Sequence, residues 1–243
     1  MEKACYQTEM AGKLDACKGC PNAKTCSTKA VIEQYKGPVL AVMSGKGGVG
    51  KSTFSRNIAE CLAHSGLKTA LLDYDFTGPS IPKLTGCEDI ISTVRISNNL
   101  FFIRESVPQE NYDIVVIDTP PGIGDEHLEM IRRFANVWTV IVTTPQKMSF
   151  SDVVRQIKFC YKANISLVGI VENMKGYVCP CCKHLNKIFN ECGVLAYCEE
   201  KGIQYLGYIG IINGLARKCD EGEFVEEPIF KVIANEIRKK LQI

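Results

Sequence analysis

Nowhere in its 243 residues does the sequence stay apolar for the roughly 18 residues that a membrane-spanning helix needs. Its opening, MEKACYQTEM, also lacks the hydrophobic region of a secretion signal. Both absences point to a cytoplasmic protein. An excess of one charge is missing too: 29 Lys and Arg stand against 27 Asp and Glu, a net charge of +2. That balance gives no reason to expect a nucleic-acid or anionic-membrane partner. Internal repeats and low-complexity tracts are absent. What remains is 46% hydrophobic and 23% charged residues, an ordinary globular composition for which one large domain is the default. The 13 cysteines are the exception. An odd total cannot pair completely, and a reducing compartment disfavours disulfides, so metal binding, catalysis or core packing must explain them.

Residues 1–36 form a polar segment with four cysteines, Cys5, Cys17, Cys20 and Cys26, and read as an N-terminal extension. From 37 to 243 short aliphatic runs alternate with amphipathic stretches, the rhythm of βα units feeding a mostly parallel, doubly wound α/β sheet with helices on both faces. Strands are expected at 39–43, 69–72, 114–117, 139–142 and 167–171. The spacing of Phe150, Val153, Val154, Ile157, Cys160 and Tyr161 predicts a helix over 149–163 that buries Cys160. A terminal helix is expected from Pro228, with Phe230, Ile233, Ile237 and Leu241 on its apolar face.

Residues 45–53, Gly45-Lys46-Gly47-Gly48-Val49-Gly50-Lys51-Ser52-Thr53, satisfy the GxxxxGK[ST] pattern between a strand and a helix. Glycines there let successive backbone N–H groups turn toward phosphate oxygens, and the helix N-terminus adds positive potential. Lys51 is placed to reach the β- and γ-phosphates of ATP and Ser52 to ligate Mg²⁺. Two strand-terminal carboxylate motifs follow, Asp73-Tyr74-Asp75 and Asp118-Thr119-Pro120-Pro121-Gly122. Both would lie at the carboxyl edge of the sheet, where open α/β folds bind ligands.

The early lysine makes GKGGVGKST resemble the deviant Walker A loop of the MinD, ParA and nitrogenase-iron-protein class. The resemblance implies a nucleotide-sandwich dimer in which Lys46 contacts the partner's phosphates. It further implies that Asp118 holds the Mg²⁺ shell, Asp75 orients or deprotonates the attacking water, and Asn173 reads the adenine base.

Cys179-Pro180-Cys181-Cys182 narrows the resemblance to the Mrp/Nbp-type scaffold ATPases of cytosolic iron–sulfur cluster assembly. Two thiolates are half of what a [4Fe–4S] cluster or tetrahedral zinc needs, so Cys179 and Cys182 are expected to share one cluster with a second subunit. The N-terminal spacing Cx11CxxCx5C is similar to the branch with a self-contained N-terminal [4Fe–4S] site at Cys5, Cys17, Cys20 and Cys26, for which zinc is the chemical alternative. The resemblance implies a homodimer, or a hetero-oligomer with a related scaffold ATPase. It also implies apo iron–sulfur client proteins and targeting factors as partners. Thr77 and Gly210 depart from the family's usual Cys and Pro, and the stretch from Gly86 to Tyr112 is shorter than usual. Cys179, Cys182, Cys192 and Cys198, spaced Cx2Cx9Cx5C, offer an intrasubunit zinc knuckle as an alternative, with His184 as a competing ligand. A positioning ATPase like MinD or ParA with structural zinc is the rival function, and a nitrogenase-iron-protein-like redox role a third. Cys61 is expected in the core and Cys87 as an incidental loop thiol.

Overall fold

The computed structural model describes residues 34–88, 93–104, 107, 108, 110–189 and 193–243. Cys5, Cys17, Cys20, Cys26 and Cys192 lie outside the described residues. The first strand, β1 (Tyr35–Ser44), begins two residues ahead of the boundary expected at 37. It carries the phosphate loop into α1 (Lys51–His64), and β2 (Thr69–Asp73) is followed by the single turn α2 (Ile81–Leu84). A short β3 (Val94–Arg95) and β4 (Leu100–Arg104) lead to β5 (Ile114–Pro121), α3 (Asp125–Arg133), β6 (Phe134–Thr143) and α4 (Lys147–Lys162). After β7 (Ser166–Asn173) comes a two-stranded hairpin, β8 (Tyr177–Val178) and β9 (Leu185–Asn186). The chain ends with α5 (Val194–Lys201), β10 (Tyr205–Ile209), α6 (Leu215–Asp220) and α7 (Pro228–Leu241).

The main sheet has the order β10-β7-β6-β1-β5-β2-β4-β3 and is parallel except for β3 against β4. Its centre is β1, where Val39, Leu40, Ala41, Val42 and Met43 are all fully buried, the continuous apolar run of a strand covered on both faces. Alternation then sorts the side chains. Leu40 and Val42 pack with α1 and α7, where Phe54 and Phe230 approach ring to ring at 6.4 Å. Val39 and Ala41 face the opposite side with Met130 of α3, while Ile141 of β6 packs there against Val153 and Ile157 of α4. Helices therefore cover both faces, as the alternating pattern predicts.

This arrangement puts β1 between β5 and β6, where successive connections leave in opposite directions, so a crevice opens above the carboxyl end of β1. In-register pairing of Val42 with Asp118 and of Asp73 with Asp118 brings both acidic strand ends to its rim.

Candidate nucleotide site and cysteine hairpin

The loop after β1 turns through two left-handed glycines, Gly48 (φ 78°) and Gly50 (φ 82°). A side chain at Gly47 or Gly48 would enter open space, the property of a cradle that a ligand fills. A cavity of about 300 Å³ lies over this loop, bordered by Gly47, Gly48, Lys51, Ser52, Asp75 and Pro121 among others. Thr53 also lines it, and Gly45 is held close against Asp152.

Behind the lining residues Lys51 and Ser52, Asp118 is fully buried and its carboxylate gathers three partners. Lys51 Nζ is 2.8 Å from Oδ1, and the Ser52 hydroxyl donates to Oδ2 at 2.6 Å. The Ser55 hydroxyl stands 2.7 Å from Oδ1 and 3.0 Å from the Lys51 carbonyl, and the charged acceptor is the stronger of the two. Residue types alone flag Lys51, Ser52 and Asp118. Ser55 carries no motif, although its position four residues after Lys51 places it on the same helical face. The donor set suits a hard, water-rich Mg²⁺: one hydroxyl and one carboxylate 2.6 Å apart beside the phosphate cradle.

The two acids of the first motif divide their work. Asp73 is buried, and its carboxylate accepts the N–H groups of Asp75, Ser80 and Ile81 at 3.0, 2.9 and 2.9 Å, bracing the loop that presents Asp75. Burial, aided by the neighbouring Asp118 charge, pushes the Asp73 carboxyl up to about 6. Asp75 borders the cavity and accepts from Thr77 and Gly78, each at 3.0 Å.

Lys46 donates to Gln146 Oε1 at 2.8 Å, a contact that pins the loop to the start of α4. Asn173 reaches the phosphate loop itself: its Nδ2 donates to the Val49 carbonyl at 2.8 Å, and its Oδ1 accepts the Met174 N–H. A Cβ on Gly50 would come within 2.3 Å of that amide nitrogen, so the loop and Asn173 fit without slack.

Six residues beyond Asn173, the β8–β9 hairpin presents Cys179 to Cys182 at its tip. Cys179 N–H donates to the His184 carbonyl at 2.9 Å and Lys183 N–H to the Cys179 carbonyl at 2.9 Å, closing a tight turn. The N–H groups of Cys182 and then Cys181 stabilise a negative Cys179 sulfur and draw its pKa below the ordinary thiol value. Cys181 and Cys182 are exposed and Cys179 half-buried, so thiolates are offered to a metal from outside the fold.

The other cysteines divide by burial. Cys61 and Cys160 lie in the core, as expected, and burial pushes each thiol up to about 11. Cys198 is 1% exposed among Ile141, Val153, Ile170 and Val194, and its thiol is likewise pushed up to about 11. A side chain committed to that apolar cluster is not a ligand, which removes Cys198 from the alternative intrasubunit knuckle. Cys87 also differs from expectation: it is buried against the α1 face of the core, with its thiol directed at the Thr85 carbonyl. Among the described residues no three His, Cys, Asp or Glu side chains converge into a metal site within one chain. No helix among them is long and apolar enough to cross a membrane.

Comparison with known proteins identifies the family and the fold. The ParA family model described as NUBPL iron-transfer P-loop NTPase matches residues 37–102 and 90–241. A relative from Eremothecium gossypii, the cytosolic Fe-S cluster assembly factor NBP35, is 35% identical over 268 residues, covering 89% of this chain and 80% of its own. Among solved structures, a nucleotide-binding protein from Archaeoglobus fulgidus, in complex with ADP and with cobalt found, superposes with a TM-score of 0.71 at 32% identity. That match covers 80% of this chain and 90% of the other. The septum site-determining protein MinD from Pyrococcus horikoshii, complexed with Mg-ADP, shares the fold at a TM-score of 0.69 and 18% identity, over 85% of this chain and 98% of its own. The matched residues take in the phosphate loop, Asp118, Asn173 and the cysteine hairpin, and the chain belongs to the NUBPL iron-transfer P-loop NTPases of the ParA family.

Proposed function

We propose that this protein is an ATP-hydrolysing scaffold that assembles a [4Fe–4S] cluster on Cys179 and Cys182 of two subunits and passes it to cytosolic and nuclear apo-proteins. The observation that carries the reading is an outward-facing Cys-x-x-Cys turn only six residues from the side chain that grips the phosphate loop. A turn offering two ligands suits a cargo that must leave, because the remaining coordination comes from a second chain and is broken when the chains separate. The name of the Eremothecium relative, a cytosolic Fe-S cluster assembly factor, supports the same role and compartment.

In this reading ATP lies in the cavity over Gly45 to Thr53, with its base toward Asn173. Lys51 exchanges Asp118 for the β- and γ-phosphates, and Ser52 and Asp118 hold Mg²⁺, which neutralises charge on the phosphates. Asp75 orients the attacking water or takes its proton, and Asp73 keeps Asp75 in place through the three N–H groups that it accepts. Lys46 leaves Gln146 to reach the phosphates of a second subunit, so full activity requires the dimer. Cys5, Cys17, Cys20 and Cys26 hold a second [4Fe–4S] cluster within each chain. The partner subunit is another copy or a related scaffold ATPase.

The test is transfer. Chain loaded anaerobically with iron and sulfide is mixed with an apo-[4Fe–4S] enzyme, whose recovered activity is followed with Mg·ATP, with a non-hydrolysable analogue and without nucleotide. Transfer that is accelerated by ATP and abolished by Cys179→Ser/Cys182→Ser is expected. Normal nucleotide binding with no transferable iron and sulfide would overturn the reading.

A further inference from the structure

One buried ion pair between the two halves of the site is unused by the chemistry above. Glu172, the next-to-last residue of β7, has a side chain only 3% exposed, and a single oxygen, Oε2, serves two partners. Tyr205 of β10 donates its hydroxyl at 2.8 Å, and Lys175 Nζ lies 3.0 Å away. Lys175 also lies over the Tyr208 ring at 5.1 Å and the Tyr205 ring at 5.7 Å. A charge this deep persists only when it is fully partnered, so these contacts hold their elements in one relation.

The segment that the ion pair brackets is tied at each step. Asn173 grips the Val49 carbonyl. Met174 then takes a left-handed backbone (φ 59°), a conformation that a residue with a side chain keeps only when its surroundings impose it. Lys175 N–H donates to the Ile209 carbonyl at 3.1 Å, Gly176 accepts from Ile211 N–H at 2.7 Å, and β8 begins at the next residue. Since Gly50 and the Asn173 amide fit without slack, a phosphate group that reshapes Val49–Gly50 must also displace Asn173.

We propose that Glu172, Lys175 and Tyr205 are positioning residues: a strut that turns movement of the phosphate loop into movement of the Cys179–Cys182 turn. The inference rests on the nucleotide reading given above and adds the route by which nucleotide changes the hold on the cargo. Without the strut, the link from Asn173 to the hairpin base would flex and absorb the displacement. With it, the hairpin moves as one body with the end of β7.

The test needs no metal. Reduced, chelator-treated full-length chain is alkylated with iodoacetamide, with and without Mg·AMP-PNP, and the rate is read by mass spectrometry on the peptide bearing Cys179 to Cys182. In wild type, nucleotide changes that rate about fivefold or more, the lower range of ordinary allosteric coupling. Lys175→Met, which keeps length but not charge, brings the change below about twofold while AMP-PNP affinity holds, and Lys175→Arg restores it. Tyr205→Phe, which keeps the ring, gives the same loss as Lys175→Met and guards against misfolding of either variant. A wild-type rate indifferent to bound nucleotide, or a Lys175→Met chain that keeps the wild-type response, would overturn the strut. Failure to bind AMP-PNP would instead refute the nucleotide reading beneath it. A chain that responds to nucleotide but loads no iron leaves the strut standing and refutes the scaffold.

Discussion

Replacing Ser55 by Ala removes one hydroxyl from the floor of the site and nothing that touches solvent. Ser55 is fully buried, and its 2.7 Å bond to Asp118 Oδ1 is charge-assisted. Alanine has nearly the same volume, so cavity formation adds little and the loss is that of a hydrogen bond to a buried carboxylate, about 1.5–3 kcal/mol. For a domain of this size that amounts to a fall of roughly 4–8 °C in Tm, taking about 2 kcal/mol and 2–4 °C per kcal/mol. Urea unfolding should show a lower midpoint at unchanged slope, because the surface exposed on unfolding is the same. Saturating Mg·ATP sharpens the contrast. Lys51 and Ser52 then turn toward nucleotide and metal, leaving Ser55 as the protein hydroxyl that still orients Asp118, so the variant gains less Tm from ligand than wild type does. A loss below about 0.5 kcal/mol, the range of an ordinary surface change, would refute the claim that Asp118 is held by this network.

Asn173→Ala removes the brace on the Val49 carbonyl and should weaken nucleotide binding about tenfold by calorimetry, the equivalent of one net hydrogen bond. Gly50→Ala, whose Cβ would sit 2.3 Å from the Asn173 amide in a left-handed backbone, should abolish binding; measurable affinity would contradict the tight fit. Asp73, pushed up to about 6 from 3.8, keeps a proton in the folded chain that the unfolded chain releases. Nucleotide-free stability should therefore fall as pH rises from about 4 to 6, by up to about 3 kcal/mol, with the decline absent from Asp73→Asn. His127, lowered by burial, drives stability the opposite way below its ordinary value of 6.5, so urea midpoints are compared between wild type and Asp73→Asn at each pH. Lys46→Ala breaks only the partly buried bond to Gln146, so Tm should move by no more than about a degree or two while ATP turnover collapses. Unchanged turnover would contradict action across a dimer.

The sheet was legible in the sequence because buried parallel strands leave continuous aliphatic runs, and the segments at 39–43 and 114–117 carry no polar interruption to confuse them. The phosphate loop was legible because its glycines, lysine and hydroxyl occupy fixed spacings that backbone geometry demands. Ser55 and Gln146 were not, since a lone hydroxyl or amide becomes a partner only once another element is folded against it. The division between Asp73 and Asp75 was hidden for a related reason: β2 ends at Asp73, and only the folded loop after it turns back to cap the Asp73 carboxylate with its own N–H groups and leaves Asp75 at the cavity. Cysteine spacing offered a metal-binding alternative at Cys198 and gave no hint that Cys87 packs in the core; packing uses both side chains. Thiols are among the most readily buried groups, and spacing carries no record of burial.

The most direct test of the scaffold reading is iron, acid-labile sulfide and zinc per chain after anaerobic reconstitution. Wild type is compared with Cys179→Ala/Cys182→Ala and with Cys17→Ala/Cys20→Ala. One full cluster per chain plus one shared between two chains predicts about six irons and six sulfides per chain. About two of each should vanish with the hairpin variant and about four with the N-terminal variant. Stoichiometric zinc with little sulfide would contradict the account and leave a P-loop NTPase whose cysteines serve structural metal.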